Sequence, residues 1–395
     1  MIDGLVVLLY RNNMSFLRFL ILNLSIILLG CSSRQNSSVS EYQHNKVSEH
    51  IQYAQGFSIE RFNKLTLIRV FNPWEGAKGI EYSYLLCPKG EKIPDALQKH
   101  QVIYTPVRRI ICLSTTHVAQ LAFIGQINTL VGVANPDYIG DSLARKLIDS
   151  GKIINIGYDQ ALNYESIVSL KPDLVMAYGI QAETVGQYKK LEDFGIKVVF
   201  NGDYLETTPL GKLEWVKFVA AFYDVSDQTS ESFNKVTREY QQLSKMCINL
   251  KKKPKVMCGI PWKGVWYIPG GDSYVAKMIA DAGGDYVWKD IRKRESIPMN
   301  FEKVIEHANE ADMWINTDLV GSLHDLLGVD ERLGMIRSFK VKQIYNNNGR
   351  FNPKGGNDFW ESGFIQPQVV LEDLIKIFHP ELLPNHKLVY YKKLE

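Results

Sequence analysis

The chain has 395 residues, 45% of them hydrophobic and 23% charged, which suits two core domains with appendages and excludes a disordered chain. Its formal net charge is +3, and no basic stripe carries interleaved aromatics, so a nucleic-acid partner is excluded. Aromatic residues reach 11%, with 20 Tyr, a surplus that suits a grip on a large flat or apolar ligand, although core filling explains most such rings. The five cysteines form no C-x-x-C pair and no zinc-spaced Cys/His cluster. Cys112 and Cys258 sit in apolar, strand-like runs and are expected to be inert core thiols.

Residues 16–30 read FLRFLILNLSIILLG, a positively charged start, an apolar run and a small residue before Cys31. That order is a secretory signal, and Met14 offers an alternative start to Met1. The run Leu28-Leu29-Gly30-Cys31 resembles the lipobox of bacterial lipoproteins, with Leu29 an uncommon residue at its place. A spanning helix needs about 20 apolar residues, more than the uncharged stretch after Arg18 supplies. The expectation is a signal peptide over 1–30 and an acylated Cys31 holding the protein at a membrane, outside the cytoplasm. The polar, Ser- and Asn-rich stretch that follows predicts a flexible tether over 31–56.

Alternating segments over 57–107, separated by Asn72-Pro73 and Lys89-Gly90, predict a small β-hairpin extension. From Arg108 the pattern turns to strands alternating with short helices: RRIICLS, then a helix capped by Ser114 or Thr115, then TLVGVAN, and later DLVMA and IKVVFN. A mostly parallel sheet covered on both faces follows, as the first lobe over 108–225. Residues 226–250 lack Gly and Pro and space Phe233, Val236, Tyr240 and Leu243 helically. A helix there spans about 30 Å at ~1.5 Å per residue and would bridge two lobes stiffly. The second lobe, 251–395, repeats the logic: FEKVIEHANEADMWIN echoes YESIVSLKPDLVMAYG.

Several segments together resemble the periplasmic-binding-protein family that serves iron-siderophore, haem and cobalamin ABC importers. They are RRIICLSTTHVAQLAFIGQINTLVGVAN, NIGYDQALNYESIVSLKPDLVMAYG, YIPGGDSYVAKMIADAGG and NNNGRFNPKGGNDFWESG, with the bridging segment between. The resemblance implies two Rossmann-like lobes joined by one long helix, no catalysis, and a ligand bound between the lobes beyond the carboxyl ends of the strands.

On that frame, Ser114, Thr115 and Thr116 offer hydroxyls and free N–H groups at a helix start, suited to oxygens of a chelate. His117 reads as a satisfied helix histidine. By resemblance Tyr178 presents an aromatic to the ligand; Asn135, Asp137 and Tyr138 are weaker candidates. PWKGVWYIPGGDS is the densest cluster: Trp262, Trp266 and Tyr267 could stack on a planar ligand, Lys263 could meet its carboxylates, and Gly270-Gly271 permits close backbone approach. Two Trp within five residues cannot both face one way, so one or two ligand-facing rings are expected. Asn316, Asn348, Arg350 and Trp360 lie at later strand ends or loops. The resemblance also places permease docking at Glu183 in the first lobe and Glu331 in the second, with Asp330 adjacent and not separated from it by sequence.

P-loop, nucleophile-elbow, zincin and dinucleotide motifs are missing, so ATP hydrolysis belongs to a separate subunit. The eight histidines are scattered, against a free-metal site. The expected protein is a monomeric carrier without a cofactor of its own, whose ligand brings iron or cobalt and whose partners are ABC permease and ATPase subunits. Cobalamin or haem is the alternative cargo; a free-metal binder or a surface metal-dependent enzyme ranks below.

Overall fold

A computed structural model describes residues 46–158, 161–179 and 182–395, apart from the side chains of 182–185. The signal segment, Cys31 and the tether up to residue 45 lie outside the described residues. No described helix is long and apolar enough to cross a membrane.

The described residues begin in a five-stranded sheet: β1 (Lys46–Ser48), β2 (Phe57–Phe62), β3 (Leu65–Phe71), β4 (Glu81–Pro88) and β5 (Gln101–Thr105), in sequential order. The first four strands pair antiparallel and β4 with β5 parallel. This is larger than the expected hairpin. Residues 46–56, read as the end of a flexible tether, are folded: β1 pairs with β2, and 52–56 are held by two carboxylates. The donors are backbone N–H groups, which any residue but proline supplies, so side-chain composition gives no sign of this anchoring.

The first lobe carries β6 (Ile110–Cys112), β7 (Leu130–Val133) and β8 (Ile154–Asn155), a small pair β9 (Gly157–Tyr158) and β10 (Ala161–Leu162), then β11 (Leu174–Ala177) and β12 (Val198–Phe200). The parallel sheet runs β12-β11-β6-β7-β8. Helices α1 (Thr115–Phe123), α2 (Ser142–Asp149), α3 (Tyr164–Ser169) and α4 (Ala182–Asp193) lie between its strands. The order changes direction at β6, which puts the loops after β6, β7 and β11 at one open end, where such sheets bind ligands.

Two helices lead out of this lobe. α5 (Pro209–Ala220) is buried on nearly every side, its Lys212 and Glu214 included, with only Lys217 partly exposed. α6 (Ser226–Cys247) is the expected bridging helix, 22 residues or about 33 Å long. Its start has no side-chain cap. Ser226 instead accepts from Arg61 of β2 at 2.9 Å. The bridge does not stand alone, because α5 and the C-terminal helix α12, described below, pack against α6.

The second lobe holds β13 (Lys255–Cys258), β14 (Pro261–Trp262), β15 (Val265–Pro269), β16 (Asp285–Tyr286), β17 (Ser296–Met299), β18 (Met313–Ile315), β19 (Ile344–Asn346) and β20 (Lys392–Lys393). The main sheet runs β16-β13-β18-β19-β20, parallel except for β20, and β14-β15-β17 forms a separate antiparallel sheet. Its helices are α7 (Tyr274–Asp281), α8 (Phe301–Ala308), α9 (Leu323–Val329), α10 (Arg337–Lys340), α11 (Ser362–Ile365) and α12 (Pro367–Phe378). α11 packs on α1 and α5 of the first lobe, and α12 on α6, so the end of the chain returns across the junction.

The core is continuous through that junction. Phe57 of the N-terminal sheet meets Trp215 and Phe218 of α5 at ring-centroid distances of 4.7 and 5.7 Å. Cys87, Cys112, Cys247 and Cys258 are free and buried, and burial pushes the Cys258 thiol up to about 12, consistent with inert core thiols.

Candidate functional site

A cavity of about 660 Å³ opens where the carboxyl ends of strands from both lobes meet. The first lobe contributes Thr115 after β6 and Tyr138 after β7. The second contributes Cys258, Gly259 and Ile260 after β13, Asn316, Asp318 and Leu319 after β18, and Asn347 after β19. Trp262 and Tyr267 come from the antiparallel sheet, and Phe351, Gly355, Asn357 and Trp360 from the loop after β19.

The strand geometry decides which of the clustered rings is available. Along β15, Trp266 and Ile268 are buried while Tyr267 is 46% exposed. Successive strand residues face opposite sides, so Tyr267 and Trp266 cannot share a face. Trp266 is fully buried, lies 5.7 Å from the ring of Trp314, and donates from Nε1 to the Cys258 carbonyl at 3.2 Å. It is a core residue and not a ligand-facing one, which corrects the expectation. Trp262, 61% exposed, does face the cavity. Lys263 takes a left-handed turn conformation (φ 51°) and sets its ammonium 4.5 Å from the Trp262 ring, outside the cavity lining.

The Gly270-Gly271 pair allows a close approach, but to the protein's own backbone. A Cβ on either residue would stand 2.1 Å from a carbonyl of the 289–293 loop, at Lys293 and Lys289. Ser273 then caps α7 through the Ala276 N–H.

Loop 316–320 is shaped by Asn346. Its Nδ2 donates to the carbonyls of Asp318 and Val320 at 2.7 and 2.9 Å, and its Oδ1 accepts the N–H groups of Thr317 and Asn347, both at 2.9 Å. Asn316 and Asp318 are thereby held in left-handed conformations, and Leu319 is left 76% exposed at the cavity wall. Asn348, an expected ligand contact, is buried and donates to the Val320 carbonyl at 3.0 Å, so it supports the loop from behind; its neighbour Asn347 lines the cavity.

The loop over 350–361 crosses to the first lobe. Asn352 donates to the Asp137 carbonyl and Lys354 pairs with the Asp137 carboxylate, both at 3.1 Å. Thr115 donates to the Trp360 carbonyl at 3.2 Å. Glu361, almost fully buried, accepts the N–H groups of Gly140 and Asp141 at 2.5 and 3.0 Å. Burial pushes its carboxyl up to about 7, against the pull of those two donors. Arg350 is paired with Asp358 at 2.8 Å and does not line the cavity.

The start of α1 behaves differently from its reading. Ser114 caps the helix through the Thr116 N–H, and the two hydroxyls meet at 3.0 Å. Thr116 is buried, so of the three only Thr115 reaches the cavity. Behind them is a buried polar group. Asn201 donates to Gln120, Gln120 donates to the Asp203 carboxylate, and the Lys212 ammonium donates to the carbonyls of Asp203 and Tyr204. Burial pulls the Lys212 ammonium down to about 8 while Asp203 and Glu206 oppose it. His117 is fully buried; neither ring nitrogen makes a hydrogen bond of ordinary geometry, although the Met176 backbone interacts with the ring. Burial holds its imidazole down near 3, hence neutral. Tyr178, the aromatic expected to face the ligand, lies edge-on to His117 and Tyr204 at 6.2 and 6.4 Å and does not line the cavity.

Glu183 falls in the first turn of α4, and its side chain lies outside the described residues. Glu331 is exposed. Asp330 accepts the Arg332 N–H and guanidinium at 3.0 and 2.7 Å, which holds its carboxyl below the usual range. Among the described residues no group of three or more His, Cys, Asp or Glu side chains converges to hold a metal ion.

Sequence reasoning therefore reached Thr115, Tyr138, Trp262, Tyr267, Asn316 and Trp360 of the lining. It missed Asp318, Leu319, Asn347 and Phe351. The signal for Asp318 and Leu319 was present, since they directly follow the strand MWIN.

A family model described as periplasmic binding protein matches residues 110–336. An uncharacterised lipoprotein of Methanocaldococcus jannaschii is 28% identical over 381 residues, covering 91% of this chain and 88% of the relative. A possible iron-binding, periplasmic solute-binding protein from Staphylococcus epidermidis superposes with a TM-score of 0.55 at 20% identity, over 69% of this chain and 99% of that one. A periplasmic haem-binding protein from Roseiflexus gives 0.51 at 23%, over 69% and 98%. At these identities the likeness to the solved structures is one of fold.

Proposed function

Since the chain belongs to the periplasmic binding protein family, we propose that it is the lipid-anchored substrate-binding protein of an ABC importer, capturing an iron chelate of the siderophore type. The observation that carries this reading is the cavity of about 660 Å³ between the lobes, lined by aromatic rings from both sides. That size and lining suit a bulky organic ligand better than a bare ion. The metal arrives as cargo within the ligand, and the chain supplies shape, stacking and amide contacts, with no catalytic step. The kinship with a lipoprotein supports the anchor at Cys31 and a site of action outside the cytoplasm.

Delivery follows by docking on a permease. Two carboxylates, one on each lobe, would suit two arginine-bearing pockets and fix orientation. Glu183 and Glu331 fill these roles, and Asp330 is the weaker choice because Arg332 already occupies it. The protein acts as a monomer at that step.

Native mass spectrometry of the purified protein tests the reading directly. The panel is a ferric trihydroxamate, a ferric tricatecholate, haem and cobalamin. A stoichiometric complex with one iron chelate is the expected result. A complex with cobalamin alone would replace iron by cobalt, and no complex with any of them would end the carrier reading.

A further inference from the structure

The charge of the cavity wall narrows the ligand. Among the described residues lining the cavity, Asp318 is the only one with a formal charge, and no Lys, Arg or His side chain lines it. The exposed surface is ring and alkyl: Tyr138, Trp262, Tyr267, Phe351 and Trp360 are each between 44% and 61% exposed, and Leu319 is 76% exposed. The polar part is amide and hydroxyl, from Asn316, Asn347, Asn357 and Thr115.

The cations nearby are engaged elsewhere. Lys354 is paired with Asp137, and Arg350 with Asp358. The Lys263 ammonium lies over the Trp262 ring, 4.5 Å from its centroid, and Lys263 does not line the cavity. Arg294 belongs to an adjoining cavity of about 410 Å³, where it donates to the Leu205 carbonyl and shares the wall with Glu75, Glu206 and Glu295.

We infer that the cleft selects chelates of zero or positive net charge and rejects polyanionic ones. This rests on the carrier reading and deepens it. An anion entering such a cavity gives up its hydration without meeting a cation, which costs several kcal/mol for each unpaired charge. Aromatic faces are electron-rich, so they repel an anion laid on them and attract a cation. Asp318 adds one negative charge to the same wall. A ferric trihydroxamate, neutral once its three hydroxamates have balanced Fe(III), meets none of these penalties. A ferric tricatecholate, with three residual negative charges, meets all of them.

The test is a titration of the purified full-length protein, followed by tryptophan fluorescence, with a neutral ferric trihydroxamate, a ferric tricatecholate, haem and cobalamin at one pH and ionic strength. The trihydroxamate or cobalamin, both lacking net negative charge, is expected to bind at least about 100-fold more tightly than the tricatecholate. Leu319→Arg, at an exposed position, should narrow that gap by about tenfold by giving the anion a partner. Asp318→Asn should weaken a trihydroxamate bearing one free ammonium more than it weakens the neutral one. Tighter or equal binding of the tricatecholate, or tightest binding of haem with its two propionates, overturns the charge inference and leaves the carrier reading standing. No binding by any of the four ligands removes the carrier reading itself, and this inference with it.

Discussion

The seam between the N-terminal sheet and the first lobe and the cleft between the lobes are built on opposite terms. At the seam, buried acids are saturated. Glu214 accepts the N–H groups of Gln52, Tyr53 and Ala54 at 2.6–3.0 Å and the Lys217 ammonium at 2.7 Å. Glu206 accepts those of Gln55 and Gly56 and the indole N–H of Trp215 at 2.9–3.1 Å. Gly56 is required there, because a Cβ would stand 2.7 Å from the Trp215 ring. In the cleft, large rings stand 44–61% exposed. A saturated, close-packed seam has its interactions already made; exposed rings in a concavity have theirs still to make. The difference separates what fixes the chain's architecture from what is available to a ligand.

Substitutions on the two sides should therefore fail in different ways. Glu214→Ala leaves three backbone donors and Lys217 without their acceptor and is expected to lower unfolding free energy by about 3 kcal/mol or more. Trp266→Ala empties a core position on the cleft's far wall and should cost about 3–5 kcal/mol. Urea denaturation checks both; a loss below about 1 kcal/mol in either would show that the region relaxes and that the packing described does not govern it. Trp262→Ala should move stability by no more than about 0.5 kcal/mol and weaken ligand binding about tenfold. Unchanged affinity for a ligand that binds the parent protein would take Trp262 out of the site.

The contrast between those two tryptophans also marks how far the sequence could be read. The alternation of strands with short helices gave the two lobes, and the helical spacing of Phe233, Tyr240 and Leu243 gave the bridge, because those periods are set by burial alone. Thr115, Tyr138, Tyr267 and Trp360 were reachable as residues at strand ends, and Trp262 as a ring of the dense aromatic cluster. Choosing Trp262 over Trp266 was not, since the face of a strand depends on the hairpin register, in which Trp266 pairs with Pro261 and Met299. Residues 46–56 were misread as tether because their partners, Glu206 and Glu214, stand about 150 positions away in sequence. Local composition carries no record of such a partner.

A further expected effect, read as a pH dependence, concerns the strap that crosses to the first lobe. The Glu361 carboxyl is raised from 4.5 to about 7 in the folded protein, chiefly by burial. Between about pH 4.5 and 7 the unfolded chain therefore releases a proton that the folded protein keeps, so this group's contribution to stability falls as pH rises and levels off above about 7. Glu361→Gln should flatten the dependence of melting temperature on pH in that window. An unaltered profile would mean that Gly140 and Asp141 hold the carboxylate ionised throughout.

Hydrogen exchange on the full-length protein, with and without a neutral ferric trihydroxamate, puts the two regions against each other in one measurement. The account predicts slowed exchange in residues 258–269, 314–320 and 350–361 on binding, with no change across residues 46–105. Protection confined to the N-terminal sheet, or a bound chelate that leaves those three cleft segments unprotected, would contradict it.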